Sequence, residues 1–291
     1  MTSNKILLSA AQLIALQNSG AALMVFDCTS DLMQPALGQQ QYEAEHIAGA
    51  VFADLNTALS AKGDPAVTGA MSGGRHPLPS REAFAAWLGS VGFNNGMQAV
   101  AYDRNGTSYA GRLWWMLQWL GHSQAAVLDG GLAAWKAAGG AVSSGIETPF
   151  SKTNYAFAST NTSLLATKDL ASQLGRPTQT IIDARAAPRF KGEVEPMDPV
   201  AGHIPGALNR PFTMNFNADG TFKNPAVLKA EFDALLAGRD PATVVHHCGS
   251  GVTANANLMA MELAGLGRAA LYAGSWSEWC SDRARPVAQS Q

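Results

Sequence analysis

The chain has 291 residues, is 47% hydrophobic and 14% charged, and carries a formal net charge of −2. That is long enough for two domains that each bury a core. The 20 basic residues are spread thinly, which excludes a nucleic-acid partner and leaves any small anion to be met by one or two local arginines.

No run approaches the roughly 18 apolar residues that span a bilayer, so no membrane partner is expected. Cys28, Cys248 and Cys280 are too few and too scattered for a disulfide framework or a metal site. A soluble protein of the reducing cytoplasm, with no metal, is expected. At the start, Ile6–Leu16 is apolar but broken by Ser9 and Gln12. It reads as an amphipathic helix capped at Ser9, not as a signal peptide.

In chain order there follow an apolar strand ending in acid (Ala22–Asp27), His46–Ile47–Ala48–Gly49–Ala50, a second strand (Ala99–Asp103), an apolar helix (Ala110–Leu120) and Leu128–Trp135 with Asp129–Gly130–Gly131. After a Gly-, Ser-, Thr- and Asn-rich stretch the same signatures return in the same order: Thr180–Asp183, His203–Ile204–Pro205–Gly206–Ala207, Val244–Cys248, Ala254–Leu266 and Tyr272–Trp279. The period is far too long for a solenoid, so a whole domain is duplicated. Short β runs alternating with helical patterns predict an α/β protein in which each half is a mostly parallel sheet flanked by helices. The expected domains are 1–145 and 167–291, joined by a linker over 146–166.

Between the second strand of the later half and the helix starting near Ala254 lies Cys248–Gly249–Ser250–Gly251–Val252–Thr253. A thiol there sits at the carboxyl end of a parallel strand, where open α/β sheets bind ligands. Gly249 and Gly251 let the backbone curl so that successive N–H groups point inward as an anion nest. The helix start adds its positive dipole end, and together these favour the nucleophilic thiolate. Ser250 and Thr253 offer hydroxyls to the same anion. A lone cysteine after a strand is often a small hydrophobe, but the matching place in the first half holds Asp103–Arg104–Asn105–Gly106. One half carries a thiol and the other does not, which favours function.

The loop Cys248–Ala254 resembles the active-site loop of the 3-mercaptopyruvate sulfurtransferases within the tandem rhodanese family. Their thiosulfate-using relatives carry arginine and lysine at the places of Gly249 and Ser250. The paired His-Ile-x-Gly-Ala segments, Asp129–Gly130–Gly131 with Trp135, and Gly274–Trp279 extend the resemblance over nearly the whole chain. It implies two rhodanese-like domains, the first inert and the second catalytic. It also implies a Cys248 persulfide formed from a small anionic sulfur donor and discharged to a thiophilic acceptor (cyanide, a thiol or a thioredoxin-like protein), without any cofactor.

By the same resemblance Arg189 meets the donor's anionic group, for which a guanidinium fork suits a carboxylate or sulfonate. Arg185 is a second candidate, although an ion pair with a neighbouring carboxylate is the favoured reading. The family's second substrate arginine follows a Glu-Pro pair, and here Glu195–Pro196 is followed by Met197. In the first half, Gly74–Pro79 resembles the stretch that brings a histidine to the catalytic loop. His76 would then relay a proton through Ser250. Asn56 stands where an orienting aspartate is expected, with Asp54 two residues away.

His46, His203, Trp135 and Trp279 recur in both halves and read as structural. His246 and His247 read as strand packing, Trp114, Trp115 and Trp119 as helix core, and Cys28 and Cys280 as inert. Thiosulfate as donor and a non-catalytic persulfide carrier are the alternatives. A cysteine phosphatase is disfavoured, because Val252, Thr253 and Ala254 supply no phosphate-binding arginine.

Overall fold

The computed structural model describes residues 6–64, 68–148 and 150–289. Its elements, in chain order, begin with β1 (Leu7–Leu8), α1 (Ala10–Asn18), β2 (Leu23–Asp27), α2 (Leu37–Ala44), β3 (His46–Ile47) and β4 (Val51–Phe52). Next come α3 (Arg81–Ser90), β5 (Gln98–Tyr102), α4 (Ala110–Trp119), β6 (Ala125–Leu128), α5 (Gly131–Ala137) and β7 (Val142–Ser143). The later half has β8 (Ser163–Leu164), α6 (Thr167–Ser172), β9 (Thr180–Asp183), α7 (Ala187–Lys191), β10 (Leu208–Asn209) and α8 (Pro225–Leu236). It ends with β11 (Val244–His247), α9 (Ala254–Leu263), β12 (Ala270–Leu271) and α10 (Ser275–Trp279).

Each half builds a five-stranded sheet, in the orders β1-β6-β5-β2-β4 and β8-β12-β11-β9-β10. Every pairing within these two sheets is parallel. The duplicated signatures occupy matching places: β5 corresponds to β11, β2 to β9, and their acids align as Asp27 opposite Tyr102 and Asp183 opposite His247. Central strands such as Val25, Val100, Ile181 and Val245 are buried, as parallel strands covered by helices require.

The N-terminal segment departs from a single helix. Ser9 closes a capping box with Gln12 and so begins α1. That leaves Leu7–Leu8 extended, to pair with Val127–Leu128 at the sheet edge.

Two compact units result. One comprises Met1–Ala61, Pro79–Asn161 and Asn217–Phe222; the other comprises Lys62–Leu78, Thr162–Phe216 and Lys223–Gln291. A contiguous division therefore misses two exchanged segments, one of which carries His76. The stretch after β7 is no loose tether either. Glu147 accepts from Gly49 N at 2.8 Å, Thr153 N donates to Gly89 O at 2.9 Å, and Tyr155 stacks on Phe93. Its polar composition reflects backbone groups that are satisfied along the surface of the first unit.

Candidate active site

Cys248 follows β11 directly and its side chain is 2% exposed. Burial opposes ionisation, but the Thr253 hydroxyl and the N–H groups of Ser250, Ala254 and Val252 outweigh it, so the thiol sits below its ordinary pKa. Thr253 stands at the N-cap of α9 yet makes no capping bond, because its hydroxyl is turned to the sulfur. The loop is pinned from behind: Cys248 N donates to Ser275 Oγ at 3.1 Å, and Trp276 N and Ser277 N donate to the Cys248 and Gly249 carbonyls. Asn255 Nδ2 donates to the Gly251 and Val252 carbonyls, holding the turn into α9.

Gly251 is required at its place. Its φ is +74°, and a Cβ there would lie 2.2 Å from the Ala273 carbonyl oxygen. Ser275 is a non-glycine residue at φ 57°, a strained position held by its hydroxyl bonds to Cys248 N and Tyr272 O.

A strap over residues 71–78 belongs to the same compact unit. Met71 N donates to Leu78 O and Leu78 N to Ser72 Oγ, closing it on itself. Gly73 N donates to Glu278 Oε2 at 2.9 Å and Arg75 N to Ser277 Oγ at 3.1 Å, which fixes it on α10. Gly74 lets the two backbones meet, since a Cβ at its φ of +84° would lie 2.6 Å from Gly274 O. The strap delivers His76, 5% exposed, to the loop, with Nδ1 2.8 Å from Ser250 Oγ. Asp54 spends its Oδ1 on its own turn, accepting from Asn56 N, Thr57 N and Thr57 Oγ1.

Arg189, on α7, donates to Glu195 and to Asp198 Oδ2, and its Nη1 points at Gly249. Arg185 lies in ion pairs with Asp183 and Glu195, the arrangement favoured over donor contact for it from sequence. Its guanidinium, 3% exposed, is consumed by Asp183, Glu195, the Gly202 carbonyl and the face of Trp276. That network holds Asp183 below the usual carboxylate range: burial resists, and His247 and Arg185 prevail. Asp183 thereby anchors the end of β9 beside the loop.

The remaining candidates pack the fold. His46 stacks on Tyr42 and His203 on Phe190, each with its Nδ1 on a backbone carbonyl. His246 lies beside Met261 Sδ, and burial pushes its pKa down to about 3, so it is neutral. His247 bonds the Cys248 carbonyl, and burial pushes its pKa down against the pull of Asp183. Trp135 and Trp279 donate to the carbonyls of Ala141 and Pro286. Burial raises the pKa of both Cys28 and Cys280. Among the described residues no cluster of three or more His, Cys, Asp or Glu is placed to hold a metal, and no helix is long and apolar enough to cross a membrane.

Sequence reasoning passed over Ala254, Ser275, Asp198 and Arg75. Ala254 acts through its backbone and Ser275 through a bond to a residue 27 positions away. Arg75 stands next to a singled-out histidine, and that adjacency was the one signal available.

A parallel-sheet α/β domain with a cysteine-headed amide ring defines the rhodanese class. The Rhodanese-like domain family matches residues 9–138 and 166–282, and the chain belongs to that family as a tandem member. It is 46% identical over 97% of its length, and 99% of the relative's, to a Pseudomonas aeruginosa protein named "Probable 3-mercaptopyruvate sulfurtransferase". It is 37% identical over 97% of its length, and 96% of the relative's, to the "Putative thiosulfate sulfurtransferase SseB" of Mycobacterium tuberculosis. The solved 3-mercaptopyruvate sulfurtransferase from Leishmania major superposes with a TM-score of 0.82 at 32% identity, covering 98% of this chain and 76% of that one.

Proposed function

We propose that this protein moves sulfane sulfur from 3-mercaptopyruvate to a thiophilic acceptor through a persulfide on Cys248. The observation that carries the reading is a buried thiol ringed by three backbone N–H groups and one hydroxyl, which lower its pKa against burial. Such a ring suits a sulfur anion at Cys248 both before and after it lengthens by one atom.

The Cys248 thiolate attacks the donor sulfur, forming the S–S bond as the C–S bond breaks. The electron pair leaves on carbon as the pyruvate enolate, which takes a proton along the His76–Ser250 pair to give pyruvate. An acceptor such as cyanide, a thiol or a thioredoxin-like protein then attacks the outer sulfur and restores the thiolate. Arg189 meets the donor's carboxylate, and Gly249, Gly251 and Val252 shape the ring with Thr253. The three cysteines are unpaired thiols, which suits work in a reducing cytoplasm.

Thiosulfate is the second donor to test, favoured by Met197 at the place of an expected arginine and by the name of the mycobacterial relative. Incubation with each donor followed by intact-protein mass measurement decides. Mercaptopyruvate is expected to add one sulfur to wild type and none to Cys248→Ser. A full adduct on the serine variant overturns the assignment, and a persulfide that small thiols never discharge would favour a carrier.

A further inference from the structure

The short helix α10 holds both sides of the His76–Ser250 contact. Trp276 N and Ser277 N donate to the Cys248 and Gly249 carbonyls at 3.0 and 2.9 Å, which fixes the loop. Ser277 Oγ accepts from Arg75 N at 3.1 Å and Glu278 Oε2 from Gly73 N at 2.9 Å, which fixes the strap. His76 comes soon after Gly73 in the chain, with its Nδ1 2.8 Å from Ser250 Oγ. One helix of five residues therefore sets the distance between the histidine and the loop it meets.

The tie through Glu278 is braced from outside the helix. Its other oxygen, Oε1, accepts from Thr167 Oγ1 at 2.5 Å. Thr167 is the first residue of α6, and its hydroxyl lies 2.9 Å from that of Tyr272, just after β12. Tyr272 is 1% exposed, so the brace ends in the core. Backbone closes in on the carboxylate as well. A Cβ on Gly73 would stand 2.8 Å from Glu278 Cγ and Cδ, and one on Gly274 would overlap Oε2. With both oxygens occupied and main chain on two sides, the carboxylate is held in place, and the strap with it.

The ring around Cys248 does not use this tie. The groups that lower the thiol pKa are the Thr253 hydroxyl and the N–H groups of Ser250, Ala254 and Val252, all on the loop or at the start of α9. Loosening Glu278 should move the histidine and spare the thiolate.

We infer that Glu278 is a positioning residue: through Gly73 and the strap it holds His76 within hydrogen-bond reach of Ser250. The inference rests on the proposed sulfurtransferase reading with His76 in its proton path. Proton delivery to the departing enolate works only at hydrogen-bond distance, so a small displacement of the strap slows that step. The donor's binding groups lie elsewhere, and the effect should fall on kcat rather than KM.

The experiment measures steady-state transfer from mercaptopyruvate to cyanide for wild type, Glu278→Ala, Glu278→Gln, His76→Gln and the Glu278→Ala/His76→Gln pair. Glu278→Ala is expected to lower kcat by about three- to tenfold, no further than His76→Gln, with KM little changed. In the pair, the loss should equal that of His76→Gln alone, because the carboxylate acts through the histidine. Glu278→Gln should keep most of kcat. Its amide oxygen can still accept from Gly73 N, and its NH2 can donate to Thr167 Oγ1 while that hydroxyl turns to Tyr272. The pH profile of Cys248 alkylation by iodoacetamide should be unchanged in Glu278→Ala, whereas general damage to α10 would release the loop and shift it.

Additive losses in the pair, a shifted alkylation profile, or a Glu278→Gln no better than Glu278→Ala overturn the assignment. Should Glu278→Ala fail to fold, Gly73→Ala carries the same test, since its Cβ displaces the strap from an intact carboxylate. A kcat near wild type there counts against the tie. The readings separate cleanly. No sulfur adduct on wild-type Cys248 brings down the sulfurtransferase reading and this one with it, and an adduct with kcat unmoved in His76→Gln removes the proton path. A fall in His76→Gln without one in Glu278→Ala sinks Glu278 alone.

Discussion

After β5 and after β11 the chain turns through a tight loop into a buried helix, but the two loops close on different groups. In the first unit Asp103 Oδ1 accepts from the N–H groups of Asn105 and Thr107, and Oδ2 from those of Tyr109 and Ala110, at 2.8 to 3.0 Å. In the second, N–H groups of Ser250, Val252 and Ala254 surround one sulfur. Asp103 to Ala110 is one residue longer than Cys248 to Ala254, and the longer loop wraps two oxygens where the shorter wraps one atom. Burial still keeps the Asp103 pKa above the usual carboxylate value, whereas the Cys248 thiol is brought down. The same backbone device therefore serves as a structural plug in one half and, under the proposed function, as the reaction site in the other. What decides is whether the anion at its centre has a bond left to make.

Exchanging the two roles by mutation tests that contrast most severely. Cys248→Ser should lower turnover by at least about a thousandfold while urea denaturation stays near wild type, because a nucleophile is lost and little packing is. Asp103→Ala should do the reverse. Four buried N–H groups lose their acceptor at an expected stability cost of about 2–4 kcal/mol, partly offset by removal of a buried charge. Activity per folded molecule should remain. Equal loss of activity in the two variants would contradict the division of labour.

Thr253→Val sharpens the comparison at the next level, with an effect on turnover near neutral pH of about tenfold. Without the hydroxyl, burial is less opposed and the thiol pKa rises, so the acid limb of kcat/KM should move to higher pH. The stability sign follows too. A thiol whose folded pKa is depressed stabilises the fold above its unfolded pKa and loses that contribution as pH falls through the folded value. Thr253→Val should then be less stable than wild type in alkali and equal to it in acid. An unmoved acid limb would remove Thr253 from the ring. Smallest is Ser250→Ala, which breaks the link to His76 and should cost severalfold in kcat with little change in KM. A matching loss in His76→Gln, without further loss in the double variant, would show one shared proton path.

The duplicated strands, the parallel α/β architecture and the ring-forming loop were legible because each rests on neighbours in the chain. Alternating apolar runs make β2, β5, β9 and β11, and two glycines followed by a helix start make the amide nest around Cys248. The chain by itself thus determined the fold and the loop that holds Cys248, the proposed nucleophile.

The tertiary structure decided who meets that nucleophile. Arg185 and Arg189 are four residues apart and both pair with Glu195, yet Arg185 turns back to Asp183 while Arg189 also reaches Asp198 and faces Gly249. His76 lies 174 residues from Ser250, and Arg75 lies 123 residues from its ion-pair partner Asp198. Residue type and spacing carry no record of such meetings. They arise because Gly73, Gly74 and Arg75 lock a strap onto α10.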